Sequence, residues 1–129
     1  MESGPLVRGI GTDIVDIERI AQVLERQGER FLRRILTAAE QAEYQRRKQS
    51  VRFLANRFAG KEAIAKALGT GIAQGVTFQD IEILPDANGA PGVAISGCAA
   101  EHLARLQATE VLLSLSDEKQ AVVAFALIQ

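Results

Sequence analysis

Apolar residues recur at helical spacing from Asp16 onward, at Ile17, Ile20, Ala21 and Leu24, while Arg19 and Arg26 fall on the other side. This pattern predicts an amphipathic helix that Gly28 ends or bends. Before it, Leu6 to Asp13 mixes apolar residues with Gly9 and Gly11 and predicts a short strand that delivers Asp13 at its C-terminal end. Phe31, Ile35 and Leu36 continue as a short helical or irregular segment. Thr37 and Glu40 have the spacing of a capping box, so a second helix starts at about Ala38 and runs to about Lys48. Ser50 is a further N-cap, and Val51, Leu54, Phe58, Ala65 and Leu68 carry a long helix to Gly69-Thr70-Gly71. Past Gly75 the texture turns β-like: Ile81 to Leu84, the turn-forming PDANGAPG, then Val93 to Ser96. Gly97 to Leu106 reads as a helix, and Val111 to Ser116 with Ala121 to Ile128 as a closing hairpin around Asp117 to Gln120. The sum is an α+β fold, helices packed against a mainly antiparallel sheet.

Composition narrows the class. At 129 residues the chain fits one domain spanning 1–129, with Met1 to Pro5 expected to be disordered. Cys98 is the only cysteine, which excludes an intramolecular disulfide, suits a reducing cytoplasm and reads by default as a free buried thiol. No run approaches the ~18 uncharged apolar residues of a membrane span. A net charge of −1 argues against a nucleic-acid-binding domain. The charge is uneven, however: Arg26, Arg30, Arg33 and Arg34 form one basic cluster, and Arg46, Arg47, Lys48, Arg52, Arg57 and Lys61 another. Such patches suit a phosphorylated small molecule or an acidic protein partner, or else are solvated helix faces.

Within the long helix, Glu62 and Lys66 stand one turn apart. Taken alone they are a surface ion pair worth about 0.3–0.5 kcal/mol, and Gly69 to Gly71 is an ordinary C-cap. Asp13 and Glu62 both sit among residues that read as buried, and a buried carboxylate needs a counter-charge. Lys61, Lys66 or an arginine could supply it. So could Mg²⁺, which is commonly held by one or two carboxylates plus substrate phosphates. A Cys/His cluster for zinc, a GxxxxGK[ST] loop, a GxGxxG turn after a strand and a Ser/His/Asp set are all missing from the sequence. The lone His102 reads as a surface or packing residue rather than a metal ligand.

Three stretches carry a resemblance. GIGTDIVDIERI (9–20), RFAGKEAIAKALGTG (57–71) and SLSDEKQAVVAFAL (114–127) closely resemble, in order, the motifs of the holo-acyl-carrier-protein synthases. These are the short, single-domain group of the 4′-phosphopantetheinyl transferase superfamily. ILTAAEQAEY and FQDIEILPDANGAP between them are similar as well. The resemblance implies Mg²⁺ held by Asp13 and Glu62, with Lys66 as a phosphate contact and all three as catalytic residues. It implies that Gly69, Thr70 and Gly71 approach coenzyme A, and that Arg46, Arg47, Lys48 and Arg57 meet its phosphates. Pro91, Ser116 and Asp117 would belong to the part of each site lent by a neighbour in a homotrimer. Arg19, Val23, Arg26, Arg30, Phe31 and Arg34 would dock an acyl carrier protein.

The implied reaction moves phosphopantetheine from coenzyme A to a carrier serine in the cytoplasm, as a step of fatty acid biosynthesis. The serine proton would pass to Glu62, directly or through a metal-bound water. Two positions depart from the family pattern: Asp117 stands where many relatives carry histidine, and Gly60 where alanine is frequent. Gly60 costs helix stability of about 1 kcal/mol and would admit close approach of another chain or the cofactor. The competing readings are a non-catalytic coenzyme A or nucleotide-binding module, and a structural protein whose last hairpin is an oligomerisation surface.

Overall fold

The computed structural model describes residues 6–129, so the expectation for Met1 to Pro5 lies outside the described residues. The elements are β1 (Gly9–Asp16), α1 (Ile17–Gln27), α2 (Glu29–Ile35), α3 (Ala38–Arg46), α4 (Val51–Ala67), β2 (Ile81–Pro85), β3 (Pro91–Ile95), α5 (Gly97–Arg105), β4 (Val111–Asp117) and β5 (Ala121–Ile128). Strands β1, β5 and β4 form an antiparallel sheet in that order, and β2 and β3 form a separate antiparallel hairpin. The α+β architecture follows the periodicity of the sequence.

Caps set the helix boundaries. Asp16 accepts the Glu18 N–H and starts α1, which closes at Gly28 with φ of 56°. Thr37 and Glu40 form the reciprocal capping box of α3, and Ser50 accepts the Phe53 N–H to start α4. Strand β1 is displaced from its expected span. It begins at Gly9 and runs on to Asp16, so Asp13 lies in mid-strand opposite Ala124 rather than at a strand end. The reason is the partner strand: all eight residues from Gly9 to Asp16 have a ladder mate on β5.

Alternation sorts the sheet into two faces. Gly9, Gly11, Asp13 and Val15 share the inner face with Val122, Ala124, Ala126 and Ile128 of β5, and α4 lies across it. Two of these positions must be glycine. A Cβ on Gly9 would stand 2.0 Å from the Ala67 carbonyl oxygen, and one on Gly11 2.1 Å from that of Ala63. The outer face carries Ile10, Ile14, Leu112, Val123 and Phe125, all exposed.

Helix α4 is buried nearly all round rather than amphipathic, because β1, β4 and β5 cover one side and α1 and β2 others. Gly60 permits a close approach, but by this chain's own strands. A Cβ there would meet Ile83 Cδ1 at 2.8 Å and Leu113 Cδ2 at 3.2 Å. The buried charges also differ from those expected. Glu40 and Lys61 are both fully buried, whereas Asp13 and Glu62 are half-buried. Lys61 Nζ donates to Glu40 Oε1 at 2.6 Å and to the Ile35 and Phe78 carbonyls, while Glu40 Oε2 accepts the Ile83 N–H at 2.7 Å. One ion pair therefore ties α2, α3, α4 and β2 together. Cys98, expected to be buried, is half-buried.

Candidate functional site

Asp13 and Lys66 meet because β1 lies directly on α4. Lys66 Nζ donates to Asp13 Oδ1 and to the Thr12 carbonyl, both at 3.0 Å. Lys66 thus pairs across to the strand and not with Glu62 along its own helix, as an isolated helix would have it. Asp13 is held, but only through one oxygen. Its Oδ2 is buried and has no hydrogen-bond partner. Glu62 is close enough to feel that charge. Burial first, then the Asp13 carboxylate, pushes the Glu62 carboxyl above its usual range, against an opposing pull from Lys66 and Arg34. Two neighbouring carboxylates, one with a raised proton affinity and the other with an orphaned oxygen, form a donor set suited to a hard divalent cation. Among the described residues, no group of three or more His, Cys, Asp or Glu assembles. A cation here would take its remaining ligands from water or a substrate.

From Asp13 a groove of about 420 Å³ runs between β1, α1, α2 and α4. Ile20, Val23, Phe31 and Phe58 make its apolar wall, and Arg19 and Arg34 stand on its rim. Phe31 is buried, its ring 6.3 Å from that of Phe58, so it shapes the groove from beneath. Arg26 and Arg30 are exposed and do not line the groove.

The second basic cluster builds a different place. Arg46, Arg47, Lys48, Arg52, Asn56, Arg57 and Asp117 line a cleft of about 480 Å³ at the start of α4. Its residues are arranged by neighbours. Glu43, itself buried, accepts from Arg46 and from Arg47 Nε, the latter at 2.9 Å. Lys48 and Gln49 both take φ of 58°, a left-handed conformation uncommon outside glycine, to make the turn into α4. Arg57 is buried over the Phe53 ring, 4.4 Å from its centroid, and its Nε has no partner. Burial and, after the favourable field of Glu40, Arg47 hold its pKa down, to about 10; it stays a cation at neutral pH. An adjoining cleft brings Pro91 and Leu115 alongside Arg47, Asn56, Arg57 and Asp117.

The remaining expected residues stand apart. Thr70 and Gly71 donate their N–H groups to the Ala65 carbonyl, so the Gly69 to Gly71 turn serves as the cap of α4, at the end opposite the basic cleft. Ser116 is on the exposed outer face, beside Val123. Sequence reasoning left out Glu43, Asn56 and the bond that Arg52 Nη1 donates to Asp117 Oδ2 at 2.9 Å. Only Glu43 carried a local signal, its spacing of three and four from Arg46 and Arg47.

A family model described as the 4′-phosphopantetheinyl transferase superfamily matches residues 9–126. The chain belongs to that superfamily. Within it, the holo-[acyl-carrier-protein] synthase of Vibrio cholerae serotype O1 is 50% identical over 124 residues, covering 96% of this chain and 98% of the relative. The fold matches as well. A crystal structure of the Neisseria meningitidis holo-[acyl-carrier-protein] synthase superposes with a TM-score of 0.89 at 41% identity, covering 96% of this chain and 99% of that one. The Helicobacter pylori synthase, crystallised in complex with coenzyme A, gives 0.82 at 31% identity, over 93% of this chain and 99% of its own.

Proposed function

We propose that the chain, as one transferase domain, moves 4′-phosphopantetheine from coenzyme A to a serine hydroxyl of an apo-acyl carrier protein and releases adenosine 3′,5′-bisphosphate. The observation that carries this reading is the identity to holo-[acyl-carrier-protein] synthases over almost the whole of both chains. In the reaction the serine oxygen forms a bond to the β-phosphorus, the bond from that phosphorus to the bridging oxygen breaks, and the bisphosphate leaves. Positioning and neutralisation of phosphate charge supply most of the catalysis in such transfers.

Asp13 and Glu62 would hold Mg²⁺, the unpartnered Asp13 Oδ2 supporting that role. When bound, the ion supplies charge neutralisation at the pyrophosphate. Lys66, already beside Asp13, adds a cation for the same oxyanions. Glu62, with its proton affinity raised by burial and Asp13, is a suitable acceptor for the serine proton, directly or through water. Arg57, buried with an unpartnered Nε, is a cation in need of an anion, and Arg46, Arg47 and Lys48 flank it for the 3′-phosphate. The carrier, an acidic protein, would lie over Arg19, Val23, Arg26, Arg30, Phe31 and Arg34 and bring its serine along the groove to Asp13.

The working form is a homotrimer with shared sites. The exposed apolar outer face of the β1–β5–β4 sheet supports a second copy against it. Among the described residues, the groove at Asp13 and the basic cleft have no lining residue in common. A site between copies would let coenzyme A reach both, with Pro91, Ser116, Asp117 and the Gly69 to Gly71 turn along its path. The product would serve fatty acid biosynthesis in the cytoplasm. Incubation with apo carrier, coenzyme A and Mg²⁺, followed by the intact mass of the carrier, tests the reading: a phosphopantetheine adduct is expected. Calorimetric binding of coenzyme A with no adduct would replace it by a non-catalytic binding module.

A further inference from the structure

Among the described residues, Asp117 is the only acidic one lining either of the two adjoining clefts that also contain Arg47, Asn56 and Arg57. Its place there follows from strand alternation. Asp117 pairs with Val122 and falls on the inner face of β4 with Leu115 and Leu113, which aims it at the first turn of α4. Arg52 on that turn receives it. Arg52 Nη1 donates to Asp117 Oδ2 at 2.9 Å and to the Glu118 carbonyl, and Nη2 donates to the Lys119 carbonyl at 3.3 Å. One guanidinium thus satisfies a carboxylate and two backbone oxygens of the β4–β5 turn.

A carboxylate among cations is a competitor for any phosphate bound there. Released from Arg52, Asp117 could pair with Arg47 or Arg57, the cations that a phosphate would use. Held by Arg52, it is neutralised at the wall, and Arg46, Arg47, Lys48 and Arg57 face the cleft without an added acid. Arg52 commits three of its five N–H donors to these acceptors, both of those on Nη1 among them.

We propose that Arg52 is a positioning residue which keeps Asp117 from competing with the phosphate of the bound nucleotide in the basic cleft. The inference rests on the reading of that cleft as the 3′-phosphate site of coenzyme A. It separates electrostatic guarding from simple shaping of the turn, because guarding requires the acid and shaping does not.

The test is a double-mutant cycle at fixed ionic strength, reading the KM for coenzyme A in the transfer assay and the calorimetric Kd for adenosine 3′,5′-bisphosphate. Arg52→Ala is expected to raise both constants roughly three- to tenfold, the scale of one partly exposed charge. Arg52→Ala with Asp117→Asn is expected to bind more tightly than Arg52→Ala alone and to recover most of its loss in both constants, since the unguarded acid is gone. Arg52→Lys, which keeps the charge but not the fork, should fall between. With 3′-dephospho-coenzyme A the effect of Arg52→Ala should vanish. A double variant as impaired as Arg52→Ala, or an Arg52→Ala variant that melts like the wild type and binds as tightly, overturns the proposal. Absence of an adduct with the wild-type protein would overturn the transferase reading instead, while the bisphosphate Kd series would still decide the role of Arg52.

Discussion

Gly11 and Ala63 are in backbone contact: a methyl group on Gly11 would lie 2.1 Å from the Ala63 carbonyl oxygen, with the Ala67 nitrogen at 2.7 Å. No side chain fits between β1 and α4 at this level. The consequence is two residues further along the strand, where the Asp13 carboxylate comes within 3.0 Å of Lys66 Nζ. A strand-helix distance set by glycine therefore assembles the acidic end of the site.

Gly11→Ala should destabilise the fold by about 1–3 kcal/mol or more, because the obstacle is backbone and cannot rotate away. It should also pull Asp13 from Lys66. Urea denaturation and the transfer assay check it, and a variant with wild-type midpoint and turnover would refute the packing argument.

Glu62 has a raised pKa in the fold, from burial first and Asp13 second. Ionising it is thus costlier folded than unfolded, and its ionisation weakens the fold as pH rises from its unfolded pKa, about 4.3, through its higher folded one. Without divalent cations, Glu62→Gln should therefore melt above the wild type at neutral pH, with the gap closing below about pH 4. Added Mg²⁺ should raise the wild-type Tm and leave the variant unmoved, and turnover should fall about a hundredfold or more. An Mg²⁺ shift retained in Glu62→Gln would remove Glu62 from the metal site.

Lys61→Met leaves the Glu40 carboxylate buried with only its two backbone donors, Thr37 N–H and Ile83 N–H. The expected cost is about 3–5 kcal/mol, that of breaking one side of a buried pair. A loss under about 1 kcal/mol in urea titration would show that the pair is dispensable.

Phe125 on β5 and its outer-face neighbours are exposed in a single chain, Ile14 by 70% and Phe125 by 40%. Phe125→Glu should convert a trimer to monomers in sedimentation velocity and abolish transfer, as a shared site requires. A wild-type protein that sediments as a monomer would end the trimer reading.

Arg19→Ala, at the groove rim, should raise the KM for the carrier with little change in that for coenzyme A. Arg26→Ala should do the same through the exposed face of α1. Equal effects on both substrates would separate these arginines from carrier docking.

Local chemistry was legible in the sequence. The Thr37 and Glu40 capping box, the Ser50 cap, the Gly28 break and the closing hairpin all act between residues a few positions apart, and each has a sequence signature. Lys61 was half-legible. It occupies the one gap in the stripe Leu54, Phe58, Ala65 and Leu68, a core position where a charge demands a partner. What it could not reveal was the partner, because Glu40 lies 21 residues away and already had a local role as a cap.

The sequence by itself determined the order and kind of the elements and the family motifs, because hydrophobic period, caps and turn residues are properties of neighbouring positions. Only the tertiary structure decided which charges meet. Lys66 passed over Glu62, one turn away, for Asp13, and Arg52 found Asp117 across 65 residues. Which charges can pair depends on how closely strands approach a helix. Here Gly9 and Gly11 bring β1 onto α4, and the inner-face register of β4 turns Asp117 toward its start.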